Sequence, residues 1–206
     1  LERRFERADG REVWILENLS LVPEPGAPGG IIQGTAVDIT ERKHAEQRLQ
    51  WDALHDVLTG LANRTLFQNR LEHALQRARR QKLLQAVLFV DIDRFKLIND
   101  GLGHAAGDNL LVEAGQRLQS AVRDEDTVAR LGGDEFCILV EDAASAEEAL
   151  AVADRVLKAF QPGFLVEGRT AYVGASIGIA LGGLRDETPL SLLRDADTAM
   201  YRAKAA

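Results

Sequence analysis

A pair of adjacent glycines, Gly132-Gly133, constrains the fold of this chain most strongly. The pair lies between two apolar runs, 127–131 and 136–140, and is followed at once by Asp134 and Glu135. Glycine adopts the positive φ angles of a tight turn between antiparallel strands, and it lets a large anion approach the backbone because it has no Cβ. Two acids beside such an opening are hard oxygen ligands for a divalent cation. The segment predicts a β-hairpin whose tip is either an ordinary turn with two solvated acids or a metal site.

Composition limits the possible functions. The 206 residues suffice for one full domain and a smaller attachment, and the formal net charge is −7. This acidic balance argues against a broad surface for DNA or RNA, so we expect no nucleic-acid polymer as a partner and only a local nucleotide site. A single cysteine, Cys137, cannot form an internal disulfide or a cysteine-based metal cage. It favours a reducing compartment and leaves carboxylates as the expected metal ligands.

The sequence shows no membrane span. No apolar run approaches 18 residues, and no signal peptide opens the chain. We therefore expect a cytoplasmic location with no membrane contact in this fragment. The chain begins at Leu1 rather than at Met. We interpret it as an excised piece of a longer protein, in which membrane segments could lie upstream.

The first 38 residues have strand patterns but little core. They contain a turn signal at Asp9-Gly10, an alternating stretch over 12–17, a Pro/Gly-rich loop over Pro23–Gly30 and a second apolar strand over 31–37. A sheet this small rarely stands alone. We expect it to be the remnant of a larger unit or to pack on another one.

Residues 39–53 form a polar helical stretch. Asp38 is predicted to be its N-cap, with Glu41 as the acid three positions further on. Apolar residues are sparse here, and a helix this polar more often bridges two units than becomes buried. We therefore predict a linker helix over 39–53, between the small piece 1–38 and a larger domain 54–206.

From residue 54 onward, helical and strand patterns alternate. The order α-β-α-β-β-α-β-α predicts an α/β (α+β) domain with a central, mostly antiparallel sheet flanked by helices. The predicted helices are 63–81, about 107–122, 144–160 and 190–203; the predicted strands are 86–90, 127–131, 136–140 and a glycine-broken strand or strand pair over 169–181.

Two further acids, Asp91 and Asp93, follow the apolar strand 86–90. Such strand ends are where α/β sheets place their ligand chemistry. If this strand neighbours the hairpin, Asp91 and Asp134 converge, and with an exposed carbonyl they form a plausible Mg²⁺ site. The alternative is that Asp91 only caps the following turn.

Polar residues downstream suit a nucleotide. The turn Arg94-Phe95-Lys96 combines backbone N–H groups with a point charge, which together hold polyphosphates, although Lys96 equally fits an ordinary surface lysine. Asn99, His104 and Asp108 follow in a polar segment. An amide with a carboxylate matches the acceptor and donor edges of guanine. Asp108 also fits the N-cap of the helix predicted from about 107.

Four separated motifs resemble those of the GGDEF domain of diguanylate cyclases. The resemblance runs from about Trp51 to the end of the chain, and the motifs are His55–Arg64, Asp91–Asp108, Leu131–Phe136 and Ala199–Lys204. The resemblance implies a nucleotide-cyclase, palm-like fold. It also implies an enzyme that condenses two GTP into cyclic di-GMP and releases two pyrophosphates. Upstream, residues 4–43 resemble the last strands and exit helix of a PAS sensor. That resemblance implies C-terminal PAS/PAC strands in 1–38 and regulation by the sensor.

The resemblance also implies roles for single residues. Asp91, the backbone carbonyl of Ile92 and Asp134 match the family's ligands for Mg²⁺ (or Mn²⁺). Either Asp134 or Glu135 helps to deprotonate the attacking 3′-hydroxyl, and the sequence does not separate them. Each domain holds one GTP, so catalysis implies a homodimer that the linker helix aligns.

Further residues match the family's substrate contacts. The turn Arg94–Lys96, which includes Phe95, and the side chain of Lys204 match the family's phosphate contacts. Lys96 is also expected to be a catalytic residue. The nucleotide-binding positions are matched by Asn99, His104 and Asp108, of which Asn99 and Asp108 read guanine; Gly132 and Gly133 make room for GTP. Family members continue past this lysine into a Gly-Arg-Asn segment and a last strand, so we expect a truncated C-terminal end that lacks a phosphate-binding arginine.

A product-inhibition site is implied by Arg123 and Asp126. This Arg-x-x-Asp is separated from the glycine pair by five residues, where family members bind cyclic di-GMP, and Arg155 is a possible addition from the next helix. Arginine suits guanine stacking and bidentate contacts. The ordinary alternative is a solvated salt bridge at a helix end.

Two other functions remain open at this point. One is a catalytically weak GGDEF domain that acts as a receptor for GTP or cyclic di-GMP. Receptors of this kind usually lack signature acids, so Asp91, Asp134 and Glu135 count against it. The other is regulation of a phosphodiesterase domain that follows in the full protein.

Overall fold

The computed structural model describes residues 1–24, 27–183 and 187–205. The chain divides into two compact units, Leu1–Ala53 and Leu54–Ala206. No helix within the described residues is long and apolar enough to cross a membrane.

The first unit is a three-stranded antiparallel sheet followed by a helix. Its elements are β1 (Glu2–Glu6), β2 (Glu12–Glu24), β3 (Ala27–Asp38) and α1 (Thr40–Asp52), with β2 in the middle. The predicted loop Pro23–Gly30 is wrong for most of its length, because β2 extends to Glu24 and β3 already begins at Ala27. Pro23 lies where the register shifts between Val22 and Glu24, and such an irregularity tolerates a residue without an N–H. Residues 25 and 26 of that loop lie outside the described residues.

Helix α1 begins without the predicted cap. The Asp38 carboxylate accepts hydrogen bonds from the N–H and the hydroxyl of Thr40, at 3.0 and 2.6 Å. It closes a short turn one residue too early, and the N-cap is Ile39, whose side chain caps nothing. The polar character predicted for this helix is confirmed, since α1 has no buried residue.

The second unit confirms the predicted antiparallel sheet flanked by helices. Its four-stranded sheet has the order β5-β6-β4-β9, with every pair antiparallel, and a separate hairpin pairs β7 with β8. The elements are α2 (Arg64–Gln81), β4 (Leu84–Ile92), α3 (Phe95–Leu102), α4 (His104–Ser120), β5 (Thr127–Gly132), β6 (Glu135–Ala143), α5 (Ala146–Phe160), β7 (Phe164–Val166), β8 (Arg169–Ala171), β9 (Ala175–Gly182) and α6 (Pro189–Lys204).

The sheet is buried on both faces. Leu88 and Ile138 belong to the cluster that includes residues of α4 and α5, whereas Val87 and Leu139 belong to the cluster with α2 and α6. A strand covered on both sides reads as a continuous apolar run, which explains the pattern at 86–90. Helix α6 crosses β9 so closely that a Cβ at Gly178 would overlap its backbone. This close crossing carries the end of α6 toward the sheet edge where Asp91 lies.

The segment between β4 and β5 differs from the prediction. It holds two helices instead of one, and α4 begins at His104 rather than near 107. Asp108 is therefore inside α4 and is not its N-cap, a position taken by Gly103 with φ 88°. The sequence predicted only a turn at 94–96 and a polar segment before the helix from about 107. However, Phe95 and Ile98 pack against the core, and this packing outweighs weak local propensity.

The prediction for the last part of the domain was partly wrong. The predicted strand pair over 169–181 exists, but β8 and β9 belong to different sheets, and β7 was not predicted. β8 and β9 are separated by Gly174, and β8 turns back onto β7 instead. A pattern of glycines marks such a break without indicating the partner of either strand.

Candidate active site

The end of β4 and the hairpin tip meet as expected. Asp91 lies opposite Glu135 in the β4–β6 pairing, and the N–H of Ile92 donates to the carbonyl of Asp134 at 3.3 Å. The expectation that strand 86–90 neighbours the hairpin is thus confirmed. Asp91 and Ile92 therefore meet Asp134 at one edge of the sheet, although Asp134 is distant from them in sequence.

Lys204, from the end of α6, adds a cation to this edge. Its Nζ donates to Oδ1 of Asp91 at 2.5 Å, and this partner raises the pKa of Lys204. Burial raises the pKa of Asp91, and the charges of Asp134 and Asp93 add to that effect, which Lys204 opposes without cancelling. Acids this crowded are stabilised by a nearby cation.

The donor set fits a divalent cation bound together with its substrate. No group of three or more His, Cys, Asp or Glu within the described ranges is arranged to hold a metal ion. The protein ligands would be the carboxylates of Asp91 and Asp134 and a carbonyl such as that of Ile92. Mg²⁺ is usually held in this way, through one or two carboxylates with phosphate oxygens and waters completing the shell.

Glu135 has different neighbours from Asp134. Burial raises the pKa of Glu135, and the charge of Asp197 on α6 raises it further, while Arg64 at the start of α2 lowers it. Sequence reasoning did not include Arg64 or Asp197 in the site. Arg64 is the last residue of the first of the four motifs, and this position could have indicated that it belongs to the site.

The turn from β4 to α3 is held by the loop before β9. The Asp93 N–H donates to the carbonyl of Gly174 at 3.0 Å, and the hydroxyl of Ser176 donates to Oδ1 of Asp93 at 2.7 Å. Arg94 has left-handed backbone angles, with φ 59°. Phe95 and Lys96 follow as the first residues of α3, and the backbone N–H groups at a helix N-terminus can bind an anion. A cavity of about 490 Å³ opens here, lined by Asp93, Arg94, Tyr172, Val173, Gly174, Ser176, Ala203 and Lys204.

Asn99 carries a buried polar atom without a partner. Its Oδ1 has no hydrogen-bond donor, and a Cβ at Gly107 would overlap this atom. Leaving a buried acceptor unpaired costs about 1–3 kcal/mol, so the atom indicates a ligand that donates to it. His104 and Asp108 are exposed and four residues apart in α4, which places them on one helix face.

The residues predicted for product inhibition lie on loops and helices away from the sheet edge just described. Asp126 is buried, and its two oxygens accept the N–H groups of Arg123 and Glu141 at 3.1 and 3.2 Å. The alternative interpretation, a solvated Arg123–Asp126 salt bridge, is wrong, because Asp126 is buried and the guanidinium of Arg123 pairs with Glu148 at 2.5 Å. Arg155 donates to the carbonyl of Ala121 at 2.8 Å.

Comparison with known proteins indicates one family. A family model described as the diguanylate cyclase GGDEF domain matches residues 53–206. Over 157 residues the chain is 49% identical to the diguanylate cyclase TpbB of Pseudomonas aeruginosa, covering 76% of this chain and 36% of that protein. It is 44% identical over 170 residues to MucR of the same species, a bifunctional diguanylate cyclase and cyclic di-GMP phosphodiesterase, covering 82% of this chain and 25% of MucR. The chain thus spans about a third or less of these relatives' lengths.

Solved structures agree with this result. The GGDEF domain of TpbB superposes with a TM-score of 0.71 at 48% identity, covering 73% of this chain and 88% of that one. The coiled coil and GGDEF domain of DgcB from Caulobacter crescentus, in complex with c-di-GMP, gives a TM-score of 0.72 at 26% identity, covering 80% of this chain and 87% of that one.

Proposed function

Because the chain belongs to the diguanylate cyclase GGDEF-domain family, we propose that it condenses two GTP into cyclic di-GMP and two pyrophosphates. The observation that carries this proposal is the meeting of Asp91, Ile92 and Asp134 at the sheet edge. Lys204 donates a hydrogen bond to Asp91, and the glycine pair beside Asp134 has no side chains that would block a ligand. These are the groups that a phosphate-rich substrate with Mg²⁺ requires.

The reaction joins the 3′-hydroxyl of each GTP to the α-phosphorus of the other and breaks the bond from each α-phosphorus to its pyrophosphate, so two phosphodiester bonds form and two pyrophosphates leave. Asp91, Asp134 and the Ile92 carbonyl would hold Mg²⁺ (or Mn²⁺). When bound, the ion would offset the charge of the phosphates and would lower the pKa of the hydroxyl. Asp134 or Glu135 takes up the proton of that hydroxyl. Because phosphoryl-type transfer needs mainly positioning and electrostatic stabilisation, the other side chains orient the substrate.

The proposal assigns the substrate contacts as follows. Lys204, Lys96 and the N–H groups at Phe95 and Lys96 bind the phosphates. The unpaired Oδ1 of Asn99 accepts from the guanine base, and Asp108 with His104 binds from the exposed face of α4. Gly132 and Gly133 leave space for the nucleotide.

Catalysis in this proposal requires two copies of the chain, since each domain holds one GTP. The polar helix α1 aligns the two domains, and the sheet of residues 1–38 is the end of a PAS sensor that regulates them. Product inhibition acts through Arg123, Asp126 and Arg155. Asp126 fixes the loop that presents Arg123 through its two backbone hydrogen bonds, and the cyclic di-GMP complex of DgcB supports binding of the product.

A second candidate is regulation of a phosphodiesterase domain elsewhere in the full protein, with this domain as a weak enzyme or a receptor for GTP or cyclic di-GMP. The similarity to the bifunctional MucR favours it. The intact acids Asp91, Asp134 and Glu135 favour the cyclase.

Incubation of the protein with GTP and Mg²⁺, followed by chromatography of the nucleotides, tests the proposal. We expect cyclic di-GMP from the wild type, none from Asp134→Ala, and wild-type amounts from Asp154→Ala, an exposed acid on α5. In the same assay Arg123→Ala should accumulate more product than the wild type. If the wild type binds cyclic di-GMP but does not form it from GTP, the receptor function is supported and the cyclase function is refuted.

A further inference from the structure

The turn that carries Asp134 is held by an arginine that the proposed mechanism does not use. Nε and Nη2 of Arg130 donate to the carbonyl of Gly133 at 2.9 and 2.8 Å. Nη1 of the same side chain donates to both carboxylate oxygens of Asp56 at 3.1 Å. Only 12% of the Arg130 side chain is exposed. One guanidinium therefore joins the hairpin tip to the segment before α2.

This contact fixes a turn that has little rigidity of its own. Gly132 and Gly133 have φ angles of 145° and 55°, and glycine leaves many other conformations accessible. The Gly133 carbonyl is held by Arg130, while the next carbonyl, that of Asp134, accepts from Ile92 at 3.3 Å. The backbone is thus fastened on both sides of the Asp134 side chain.

Asp56 is itself held in place. Its Oδ1 accepts from the N–H and the hydroxyl of Thr59 at 2.9 and 2.7 Å. Burial would raise the pKa of Asp56, but the hydrogen bonds from Thr59 and Arg130 outweigh it and lower the pKa. Asp56 is therefore an anion that meets Arg130 with a fixed geometry.

The same segment connects to the strand that bears Arg130. The Arg130 N–H donates to the carbonyl of Ala62 at 2.9 Å, and Ala62 forms a parallel bridge with Ala129. Asp56 follows Asp52, the last residue of α1, by four positions. The first motif, His55–Arg64, therefore contacts the hairpin, although the proposed mechanism gives it no role.

We propose that Arg130 is a positioning residue for the cyclase reaction, that it sets the place of the Asp134 carboxylate through the Gly133 carbonyl, and that Asp56 orients Arg130. This inference rests on the proposed function. Arginine suits this role because its planar fork reaches a carbonyl and a carboxylate at once, whereas lysine presents a single point charge.

Replacing Arg130 by lysine keeps the charge and removes the fork. A misplacement of about 1 Å at a reacting group can lower turnover by about 100-fold. We therefore expect kcat of Arg130→Lys to fall by about 10- to 100-fold. KM for GTP should change by less than about twofold, because Arg130 contacts the glycine pair only at a backbone carbonyl and the proposed mechanism gives it no contact with the nucleotide.

Arg117→Lys is the matched control. Arg117 also uses its guanidinium to hold carbonyls, those of Ala159, Pro162 and Gly163, together with the carboxylate of Glu113. Its side chain is 18% exposed, but it lies on α4 away from the hairpin tip. We expect Arg117→Lys to lower the melting temperature and to leave kcat per folded protein unchanged. If Arg130→Lys behaves like Arg117→Lys, the positioning role is refuted.

A double substitution tests the role of Asp56. Residues that act through one another show non-additive effects. Asp56→Asn alone should lower kcat, but added to Arg130→Lys it should lower kcat by less than about a further twofold. Independent, multiplying losses would overturn the assignment of Asp56 as the residue that orients Arg130.

Hydrogen exchange separates this inference from the proposed function. The amides of 133–135 should exchange faster in Arg130→Lys than in the wild type and remain unchanged in Arg117→Lys, whether or not the protein turns over. A wild type that forms no cyclic di-GMP would refute the proposed function. An active wild type whose Arg130→Lys variant keeps wild-type kcat and exchange would refute this inference alone.

Discussion

Asn99 and Gly107 show at the residue scale why this site depends on one missing Cβ. Gly107 lies in α4, and its Cα faces the Asn99 carboxamide and the Phe95 ring so closely that a methyl group would overlap Oδ1 and lie 3.1 Å from Phe95 Cζ. Asn99 is therefore held over α4 with its oxygen buried and unpaired. The glycine is needed for the position of Asn99 rather than for a special φ angle.

Gly107→Ala should weaken GTP binding while the protein stays folded. Alanine favours a helix interior over glycine by about 0.5–1 kcal/mol, but the new methyl displaces Asn99 and its acceptor. We expect the Kd for GTP, measured by calorimetry, to rise about tenfold, which corresponds to the loss of about 1.4 kcal/mol.

Gly115→Ala is the control for this prediction. It lies on the same helix, and its new Cβ would meet the Leu61 side chain at 3.1 Å, away from Asn99. It should leave the Kd for GTP unchanged. Equal affinities for Gly107→Ala and the wild type would show that Asn99 does not bind the base.

At the element scale, ion pairs connect helix α2 to the end of β6. Nη2 of Arg77 donates to Glu141 and Asp142 at 2.7 and 2.9 Å, and Gln85 of β4 donates to Asp142 at 3.0 Å. Burial would raise the pKa of Asp142, but the hydrogen bonds from Gln85 and Arg77 outweigh it, so the pKa is lowered.

This lowered pKa predicts a loss of stability in acid. The folded state holds Asp142 ionised more strongly than the unfolded state does, so its contribution is present above the ordinary value of 3.8 and is lost as the pH falls through the lower, folded-state pKa. Asp142→Asn should reduce the difference in free energy of unfolding between pH 6 and pH 3, measured by urea denaturation. If the difference in free energy of unfolding between pH 6 and pH 3 is unchanged, the contacts of Asp142 do not contribute to the acid sensitivity.

Helices α2 and α3 show which secondary-structure elements the sequence pattern predicts correctly. Helix α2 was predicted over 63–81, and the structure has it at Arg64–Gln81 with Asn63 as its cap, because both the cap and the apolar stripe are local signals. Helix α3 was missed. Its eight residues include the turn-forming Asn99, Asp100 and Gly101, and the helix packs against the core through Phe95, Ile98 and Leu102.

At the scale of the whole molecule, the proposed reaction needs a second copy of the chain. In the proposed mechanism, each domain supplies one set of metal ligands, which includes Asp91 and Asp134, and one contact to the base at Asn99. Two nucleotides that attack each other therefore require two such sites.

Activity should thus depend on protein concentration. We expect the rate of cyclic di-GMP formation per chain to fall on dilution below the dimer dissociation constant, while GTP binding per chain, measured by calorimetry, stays the same. A rate per chain that is constant across a hundredfold dilution, with a monomer shown by light scattering, would contradict the dimer.

The sequence alone determined the local parts of this protein. The glycine pair required a turn, the acids beside it marked a candidate metal site, the alternation of patterns indicated a sheet with flanking helices, and the four motifs indicated the family. These features are readable because φ preference, periodicity and charge act between residues that are close in the chain.

Only the tertiary structure decided which distant residues meet. Lys204 reaches Asp91 across 113 positions, and Arg130 reaches Asp56 across 74. The close crossing of α6 over β9 brings Lys204 to Asp91, and the bridge between Ala62 and Ala129 brings Asp56 to Arg130. An apolar strand pattern indicates that a strand is buried without identifying its neighbour. The hairpin tip was thus evident from its own residues, whereas the arginine that holds it and the lysine that shares its site depended on the packing of the whole domain.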